Sequence, residues 1–305
     1  MAVRILHYSD VENAFDTPEK VGRLAGLLQD LKSTDGEAII ANTGDLFAPG
    51  ILSFVTEGEH ALKFLRAVPP DVSTFGNHDF DYGLERTRDL VSRAPGTWVS
   101  TNIHHDGQRF GADEGVVPVT SLQSGATKIG FIGLLDDTTP SINPEAADLT
   151  VTDPLSATQE AEATLRERGA DVVIVLSHLG QGDEEIAVET TVDAILGGHV
   201  HSERVERVND TLLTRPGVNA DIVFEIVIED GQIELHRHVV EEAQVDERVV
   251  ADLQAELEAA GLDEVVGHVD EPIQRTEQTV FRGETRVGNF VADAYRWAAG
   301  ARARS

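Results

Sequence analysis

The chain has 305 residues, with 54 Asp and Glu against 24 Lys and Arg, a formal net charge of −30 and no Cys. This composition excludes disulfides, thiolate metal sites and a Cys nucleophile, and it leaves no basic surface for a nucleic-acid backbone. No apolar run approaches the ~18 residues that span a bilayer, and the N-terminus enters a strand without a secretory leader. We therefore expect a cytoplasmic protein without a membrane or nucleic-acid partner.

The excess of acidic residues also indicates the salt concentration in which the protein works. The cations are mainly Arg, with Lys only at positions 20, 32, 63 and 128. An acidic surface with little Lys favours a halophilic protein, because molar salt shortens the screening length to about 3 Å and self-repulsion then costs little. An ordinary acidic protein is the alternative.

Up to residue 201, apolar runs alternate with amphipathic segments. In chain order, the predicted elements are strand Val3–Tyr8, helix Pro18–Lys32, strand Ala38–Asn42, helix Glu59–Arg66, strand Val72–Phe75, helix Leu84–Val91, strands Thr97–Thr101 and Lys128–Leu135, a helix from Asp153 to Arg168, and strands Asp171–Leu176 and Ala194–Gly197. This alternation predicts βαβ units, and hence an α/β fold with helices on both faces of a sheet.

After residue 202 the pattern changes to short strands with turn signals between them. We predict consecutive hairpin strands at Ser202–Val208, Thr211–Thr214, Asp221–Glu229 and Gln232–Val240. An acidic, solvated helix follows at Asp246–Ala260, and the remainder holds a short strand and a helix near Thr285–Ala299. About 40 residues are too few for an independent domain, so this last segment is expected to be a fragment.

Polar side chains follow five of the predicted strands where each strand ends. They are Asp10 and Glu12, Asp45, Asn77 and His78, His178, and His199 and His201. Because ligands bind at the carboxyl ends of strands in α/β sheets, we expect these groups to meet at one edge. Residues two apart on an extended chain face the same side, which would pair Asp10 with Glu12 and His199 with His201. Each motif alone is a weak signal, but together they predict a site for two divalent ions.

The order and spacing of these motifs resemble the calcineurin-like metallophosphoesterases. The matching motifs are Asp10-X-Glu12, Gly44-Asp45, Gly76-Asn77-His78-Asp79, His178 and Gly198-His199-X-His201. The segment Gly76–Gly83 is similar to the 5'-nucleotidase branch, and Arg282–Ala294 is similar to the opening of that branch's C-terminal substrate domain. The resemblance implies a four-layer α/β/β/α sandwich over residues 1–240, an acidic linker helix at 241–263, and a truncated start of the second domain at 264–305.

The resemblance also implies a role for each matching residue. Asp45 would bridge two metal ions. Asp10, Glu12 and His201 would complete the first site, and Asn77, His178 and His199 the second. His78 would be the catalytic histidine, with Asp81 orienting its ring. A metal-activated hydroxide would then hydrolyse a small-molecule phosphate monoester, foremost a nucleoside 5'-monophosphate. The substrate-binding residues and the oligomeric state are left open.

Two departures from the family pattern modify these expectations. The family usually has His where this chain has Glu12, and a site richer in oxygen favours Mn²⁺ over Zn²⁺, with Fe²⁺ and Mg²⁺ as further candidates. The chain also ends at Ser305, inside the segment that resembles the second domain, so we expect poor nucleotide selectivity. Two alternatives stay open: a phosphodiesterase for 2',3'-cyclic nucleotides or nucleotide sugars, and a degenerate metal-binding remnant without catalysis.

Histidines outside these motifs are predicted to be structural. His7 alternates with apolar residues on the first strand and is expected to pack in the sheet. His104 and His105 are placed in a polar surface loop, because Asp106-Gly107 follows them. His236 and His238 are placed on one side of a hairpin strand, without an acidic partner.

Overall fold

A computed structural model of the chain describes residues 2–34, 38–229, 231–261, 265, 267–273 and 284–300. The chain divides into two compact units, Met1–Leu262 and Asp263–Ser305. The strands are β1 (Val3–Tyr8), β2 (Ala38–Asn42), β3 (Val72–Ser73), β4 (Thr97–Trp98), β5 (Ile103–His105), β6 (Gln108–Arg109), β7 (Val119–Ser124), β8 (Thr127–Leu135), β9 (Leu149–Val151), β10 (Val172–His178), β11 (Ala194–Gly197), β12 (Arg204–Val208), β13 (Thr211–Arg215), β14 (Ile222–Glu229) and β15 (Gln232–Val239).

The helices are α1 (Pro18–Ser33), α2 (Ile51–Thr56), α3 (Ala61–Ala67), α4 (Leu84–Arg93), α5 (Thr139–Ile142), α6 (Pro154–Glu167), α7 (Asp183–Glu189), α8 (Glu247–Ala259) and α9 (Arg286–Ala298). Short 3-10 turns at Glu12–Asp16 and Asn77–Phe80 follow the strands that lead to the site. Within the described part of the chain, no helix is both long and apolar enough to cross a bilayer.

Two six-stranded sheets form the centre of the first unit. One has the order β15-β14-β1-β2-β3-β4, and the other has the order β12-β13-β11-β10-β8-β7. The strands β1, β2, β3 and β4 are parallel to one another, as are β8, β10, β11 and β13. A small sheet of order β6-β5-β9 stands apart from both. Parallel strands bring their carboxyl ends to one edge of a sheet, which is where the predicted site residues follow them.

Three apolar layers show how the sheets and helices stack. Alternate residues of one strand enter different layers: Val173 and Val175 pack on the helical side with Leu165 of α6, and Ile174 joins the layer between the two sheets. The first sheet divides in the same way, with Ile5 facing the other sheet and residues such as Leu6 packing among α1, α3 and α8. The structure therefore has the predicted four-layer α/β/β/α sandwich.

The predicted run of consecutive hairpins is wrong at its middle connection. Strands β12 and β13 form one hairpin and β14 and β15 form another, but β13 pairs with β11 in one sheet and β14 pairs with β1 in the other. The intervening loop crosses between the sheets beside the first strand end, where the N–H of Asn219 donates a hydrogen bond to the carbonyl of Asp10 at 2.8 Å. Turn signals show that the chain reverses, not which sheet it joins.

Helix α8, which we predict to be an acidic, solvated linker, buries Val249 and Leu253 in the layer that includes α1. Gly22 and Gly26 of α1 make this approach close, because a Cβ at Gly26 would overlap the carbonyl oxygen of Gln244. In the second unit, α9 begins as predicted, with the hydroxyl of Thr285 accepting the N–H of Gly288 at 3.0 Å. Residues 274–283, which include Arg282, lie outside the described residues.

A buried histidine on the outer side of the first sheet makes folding sensitive to acid. His60 is fully buried, and its ring meets Phe15 edge to face at 4.5 Å. Its Nδ1 lies 2.8 Å from Thr56 Oγ1, whereas its Nε2 has no partner among the described residues. Burial lowers the pKa of His60 to about 3, because the charged ring cannot be solvated there.

We expect the replacement His60→Leu to reduce the loss of stability on acidification by about 2 kcal/mol between pH 7 and pH 5. The unfolded chain takes up a proton below the ordinary histidine pKa and the folded chain does not until about pH 3, so stability falls as the pH falls through this window. Urea unfolding of both proteins at the two pH values measures the difference. The exposed His236, replaced in the same way, is the control. An unchanged pH dependence in His60→Leu would contradict the assignment.

Candidate metal centre and catalytic site

The backbone turns sharply at four of the predicted metal ligands. Asp10, Glu12, Asp45 and His199 have φ values of 49°, 44°, 54° and 67°, in the left-handed region that non-glycine residues rarely adopt. The chain at Asp10–Glu12 and at His199–His201 is therefore not extended, so our geometric reason for pairing these residues is wrong. The turns, and not strand alternation, set the directions of these side chains.

Glycines allow these turns to approach one another closely, so that the side chains they carry lie in one small region. The carbonyl of Gly44 accepts a hydrogen bond from the N–H of Asp10 at 3.1 Å, which ties the ends of β1 and β2 together. Gly44 packs so tightly on Gly76 that a Cβ would overlap its backbone nitrogen, and a Cβ at Gly76 would overlap the carboxylate of Asp45. Three strand ends are in this way held in contact.

The first group of candidate ligands consists of Asp10, Glu12 and His201. Each offers one ligand atom, and these atoms lie within 4.8 Å of one another. Glu12 is buried, and its Oε1 lies 2.9 Å from Nε2 of the half-exposed His201. That contact does not have the geometry of a hydrogen bond, and Oε1 has no hydrogen-bond partner among the described residues. A buried carboxylate oxygen in this position suits a cation ligand.

The second group consists of Asp10, Asp45 and His178, whose ligand atoms also lie within 4.8 Å of one another. His178 is fully buried, and its Nδ1 lies 2.6 Å from the carbonyl oxygen of Thr43. Because a carbonyl only accepts, Nδ1 carries a proton, and Nε2 is the nitrogen whose lone pair a metal ion would take in place of a proton. Nε2 lies 3.1 Å from Asp45 Oδ2 and 3.2 Å from Asn77 Oδ1, in the middle of this group.

Asn77 and His199 extend the second group. Nδ1 of His199 lies 2.7 Å from Asn77 Oδ1, and its ring is 5.1 Å from the ring of His178. The backbone N–H of His199 donates to Asp10 Oδ1 at 3.0 Å, which connects it to the first group. The structure thus places all seven predicted ligand residues in one cluster, with Asp10 common to both groups.

His78 and Asp81, the predicted catalytic pair, lie at the border of this cluster. The Nδ1 of His78 is 2.8 Å from Asp81 Oδ2, and the side chain of His78 is 38% exposed. Asn143 donates from Nδ2 to Asp81 Oδ1 at 2.9 Å, so the carboxylate is held on both sides. The backbone N–H of His78 donates to Asp45 Oδ1 at 2.8 Å. One strand-end turn therefore holds the imidazole beside the candidate ligands.

The electrostatics of the cluster are those of a cation site. Burial, together with the charges of Asp45 and Glu12, raises the pKa of Asp10 to about 7 in spite of the nearby His178. Burial opposes protonation of His178, but the charges of Asp45 and Asp10 raise its pKa to about 10. The carboxylates repel one another unless a positive charge stands between them. With the unpartnered Glu12 oxygen and this set of oxygen and nitrogen donors, the residues fit divalent metal ions.

Sequence reasoning missed the carboxylate of Asp79, which is buried behind the cluster. It accepts four backbone N–H groups: those of Gly76, Asp45, Leu46 and Phe47, at 2.8, 3.0, 2.9 and 2.9 Å. It therefore fixes the turns after β2 and β3, which present Asp45 and Asn77. The signal was visible in the Gly-Asn-His-Asp motif, but nothing in the sequence shows which distant N–H groups this acid accepts.

Two more polar residues that sequence reasoning missed connect the loops at the carboxyl ends of the strands. Asp136 accepts the N–H of Gly180 at 2.9 Å through Oδ2 and that of Thr138 at 2.7 Å through Oδ1. The side chain of Asn143 also donates to the carbonyl of Asn77 at 3.0 Å. Each ties a loop of one strand end to the loop of another. Both residues lie outside recognisable motifs, so their positions depend on the folded chain.

The replacement Gly198→Ala should weaken metal binding by about tenfold or more. A Cβ at Gly198 would lie 2.8 Å from Asp10 Oδ2, 3.0 Å from His178 Nδ1 and closer still to Ser9 Oγ, so the ligands would have to move apart. Metal titration by calorimetry measures the change. Gly267→Ala is the control, because a Cβ there meets nothing within 4 Å. An affinity equal to that of the unaltered protein would show that the site is wider than described.

The histidines outside the motifs lie only partly as predicted. His7 is buried in the first sheet, with Nε2 2.9 Å from Thr43 Oγ1. The surface-loop prediction for His104 and His105 is wrong, because both belong to β5 and pair with β6 and β9. His238 also has an acidic partner, Glu225 Oε2 at 2.9 Å, which was not expected. That acid lies on β14, the neighbouring strand in the sheet.

Comparison with known proteins identifies the class of this fold and site. Residues 3–203 match the calcineurin-like phosphoesterase family. The chain belongs to that family and is therefore a phosphoric ester hydrolase by class.

Individual relatives narrow the comparison. The chain is 26% identical to human 5'-nucleotidase over 213 residues, covering 64% of this chain and 37% of that protein. It is 23% identical to the trifunctional nucleotide phosphoesterase protein YfkN of Bacillus subtilis, covering 98% of this chain and 24% of that protein. A 5'-nucleotidase precursor from Thermus thermophilus has the same fold, with a TM-score of 0.85 at 20% identity over 98% of this chain and 67% of that one. The chain spans about a quarter to two fifths of the length of its curated relatives.

Proposed function

We propose that the protein hydrolyses phosphate monoesters at this centre, foremost nucleoside 5'-monophosphates. The observation that carries the proposal is the contact of one carboxylate, Asp45, with both parts of the site. Its Oδ2 faces the ligand nitrogen of His178, and its Oδ1 accepts the N–H of His78. Ligands and a titratable imidazole are thereby held by the same residue. The relatives named as 5'-nucleotidases support the substrate class.

Each residue of the cluster has a role in this proposal. Asp10, Glu12 and His201 would hold one ion, and Asn77, His178 and His199 would hold a second. Asp45 would lie between the two ions, together with Asp10, whose carboxylate belongs to both groups of ligand atoms. When bound, such ions supply Lewis-acid activation of water and neutralise charge on the phosphoryl group. The carboxylate of Glu12 adds oxygen to the first set, which favours Mn²⁺ over Zn²⁺.

His78 would act on the departing alcohol. Burial opposes its charge, but the hydrogen bond to Asp81 and the charges of Asp45 and Asp81 raise the pKa of His78 to about 9. Bound ions would offset the charge of Asp45, so the hydrogen bond to Asp81 is the contact that would keep the ring protonated. The ring would donate its proton to the ester oxygen as that P–O bond breaks and the new P–O bond to the water oxygen forms. Asp81 holds Nδ1, which leaves the other ring nitrogen to donate. Alcohol and phosphate are the products, and the ring recovers its proton from solvent.

A phosphodiesterase acting on 2',3'-cyclic nucleotides or nucleotide sugars is the second candidate. It is favoured by the similarity to a relative named as a trifunctional nucleotide phosphoesterase. The same donor set suits both reactions, because either ester presents phosphoryl oxygens to the ions and an alkoxide to His78.

The test is a substrate panel after removal of metal. We expect a chelator to abolish hydrolysis and Mn²⁺ to restore it, with AMP turned over faster than 2',3'-cyclic AMP or UDP-glucose. Faster turnover of either diester would select the second candidate. Restoration by Zn²⁺ alone would contradict the metal assignment, and no turnover of any ester by the metal-loaded protein would indicate a degenerate site. Asp113→Asn, at an exposed acid, is the control variant.

A further inference from the structure

A second cavity lies in the same unit but shares none of the candidate ligands. It has a volume of about 570 Å³ and lies between helix α6, the start of β7 and the small sheet of β5, β6 and β9. That volume is within the ~300–1,000 Å³ of small-molecule sites, and it is far larger than one water. Its lining includes Thr101, His104 and Arg109, none of which has a role in the proposed reaction.

Two buried polar atoms at this cavity lack partners. Nε of Arg109 and Nδ1 of His104 are both buried without a hydrogen bond to any described residue. The two residues are directly opposite each other on the antiparallel strands β5 and β6, so their side chains stand on one face of the small sheet. Burial also lowers the pKa of Arg109, which is the effect of a cation taken from water without an anion. The pair therefore offers a guanidinium N–H and an imidazole nitrogen, neither of which has a partner among the described residues.

Arg109 has no paired acid among the described residues of a protein that contains 54 Asp and Glu. By contrast, Arg93 pairs with Glu59 at 2.6 Å and with Asp89 at 2.6 Å on its own helix. Arg109 forms no ion pair within the part of the chain that the structure describes. Arg93 is thus neutralised by its neighbours, whereas Arg109 is free to meet an anion from solution.

Two acids line the same cavity from the helical side, and neither neutralises Arg109. Asp153 caps α6, with Oδ1 accepting both the N–H and the hydroxyl of Ser156 at 2.8 and 2.6 Å. Glu160 is exposed and forms no ion pair with a described residue. The remaining lining combines an apolar patch with polar side chains and a second cation: Pro118, Val119, Ala157 and Ala161 form the patch, and Thr101, Thr152, Thr164 and Arg168 are polar. The cavity therefore offers two arginines and an apolar patch.

We propose that this cavity binds a small organic oxyanion, a phosphate or a carboxylate carried on an apolar body. The guanidinium of Arg109 would receive the oxyanion through its planar fork of N–H groups, and His104 would donate from Nδ1. The carbon body would lie against Val119 and Ala157. The site is independent of the proposed reaction, because it uses neither the candidate ligands nor His78.

Calorimetric titration of the full metal-loaded chain with benzoate and with phenylphosphonate tests this proposal. The probes share an apolar ring and differ in the oxyanion, and neither is a phosphate ester. We expect at least one to bind with a Kd in about the millimolar range, and Arg109→Met to weaken that binding by about tenfold or more. Because a phosphonate also ligates metal ions, the oxyanion class is identified by the probe whose binding Arg109→Met weakens more.

Two further variants separate binding from folding. Ala157→Phe fills the cavity without a change of charge and should weaken the same probe, whereas Arg66→Met removes an equal charge outside the cavity and should not. Equal affinity in Arg109→Met and the unaltered protein would overturn the proposal, as would the absence of binding by both probes. If Arg109→Met does not fold, the Ala157→Phe result decides between the same two outcomes.

Discussion

The replacement His78→Asn should lower kcat by about 10²–10⁴-fold and leave the bound metal unchanged. The imidazole lies beside the ligands but is not counted among them, and its Nδ1 is held 2.8 Å from Asp81. Asn cannot donate a proton to a departing alkoxide, so the ester bond would break without a general acid. Steady-state rates with AMP, together with metal analysis of the purified variant, measure the two effects separately.

Asp81→Asn is the matched control for this experiment. It keeps the imidazole but replaces the acceptor at Nδ1 and disturbs the contact with Asn143, so we expect a smaller loss of kcat than in His78→Asn. A rate in His78→Asn within about threefold of the unaltered protein would remove the general-acid role, because positioned acids contribute far more than that. Loss of metal in that variant would instead make His78 a structural support of the ligands.

The replacement Asp79→Asn should destabilise the first unit by about 3–5 kcal/mol and weaken metal binding as well. The carboxylate of Asp79 accepts four backbone N–H groups from the turns that present Asp45 and Asn77. An amide has one accepting oxygen, and its NH₂ group would face two of those donors. Buried N–H groups left without acceptors cost about 1–3 kcal/mol each.

Urea unfolding of Asp79→Asn measures the loss of stability. Metal titration of the same variant in its folded state measures the loss of metal affinity. Asp113→Asn changes the same side chain at an exposed position and should alter the free energy of unfolding by less than about 0.5 kcal/mol. A change below about 1 kcal/mol for Asp79→Asn would mean that the four N–H groups find other acceptors, and that the turns do not depend on this acid.

The fold was predictable where a strand or helix has a strong apolar period. The bounds of β1, β2 and β11 agree with the predicted ones residue for residue, because β2 and β11 are buried along their whole length and β1 is buried at all positions but Arg4. Short elements such as β5 and β6 were missed, since two or three residues cannot establish a period. The crossing between β13 and β14 was also missed, because the partner of a strand is decided by packing between distant segments.

The composition of the candidate site was predictable, but its geometry was not. Motif order pointed to the seven candidate ligand residues, and the structure brings them together around Asp10 and Asp45. Our reason for their direction assumed an extended chain, whereas the backbone turns at Asp10 and Glu12. Asp79 was overlooked for a related reason, since three of its four partners are main-chain groups 32–34 residues away that have no signature in the sequence.

The backbone has positive φ values at Asp10, Glu12, Asp45 and His199. This conformation restricts which amino acids these four positions tolerate. Left-handed backbone costs about 1–2 kcal/mol per residue, and among side chains with a donor atom it is tolerated best by Asn, Asp and His. Three of the positions therefore hold side chains that satisfy both steric and coordination demands. Glu12 satisfies only the coordination demand. At this position, replacement by Asp or His would reduce the steric strain of the left-handed backbone and still provide a metal-binding atom.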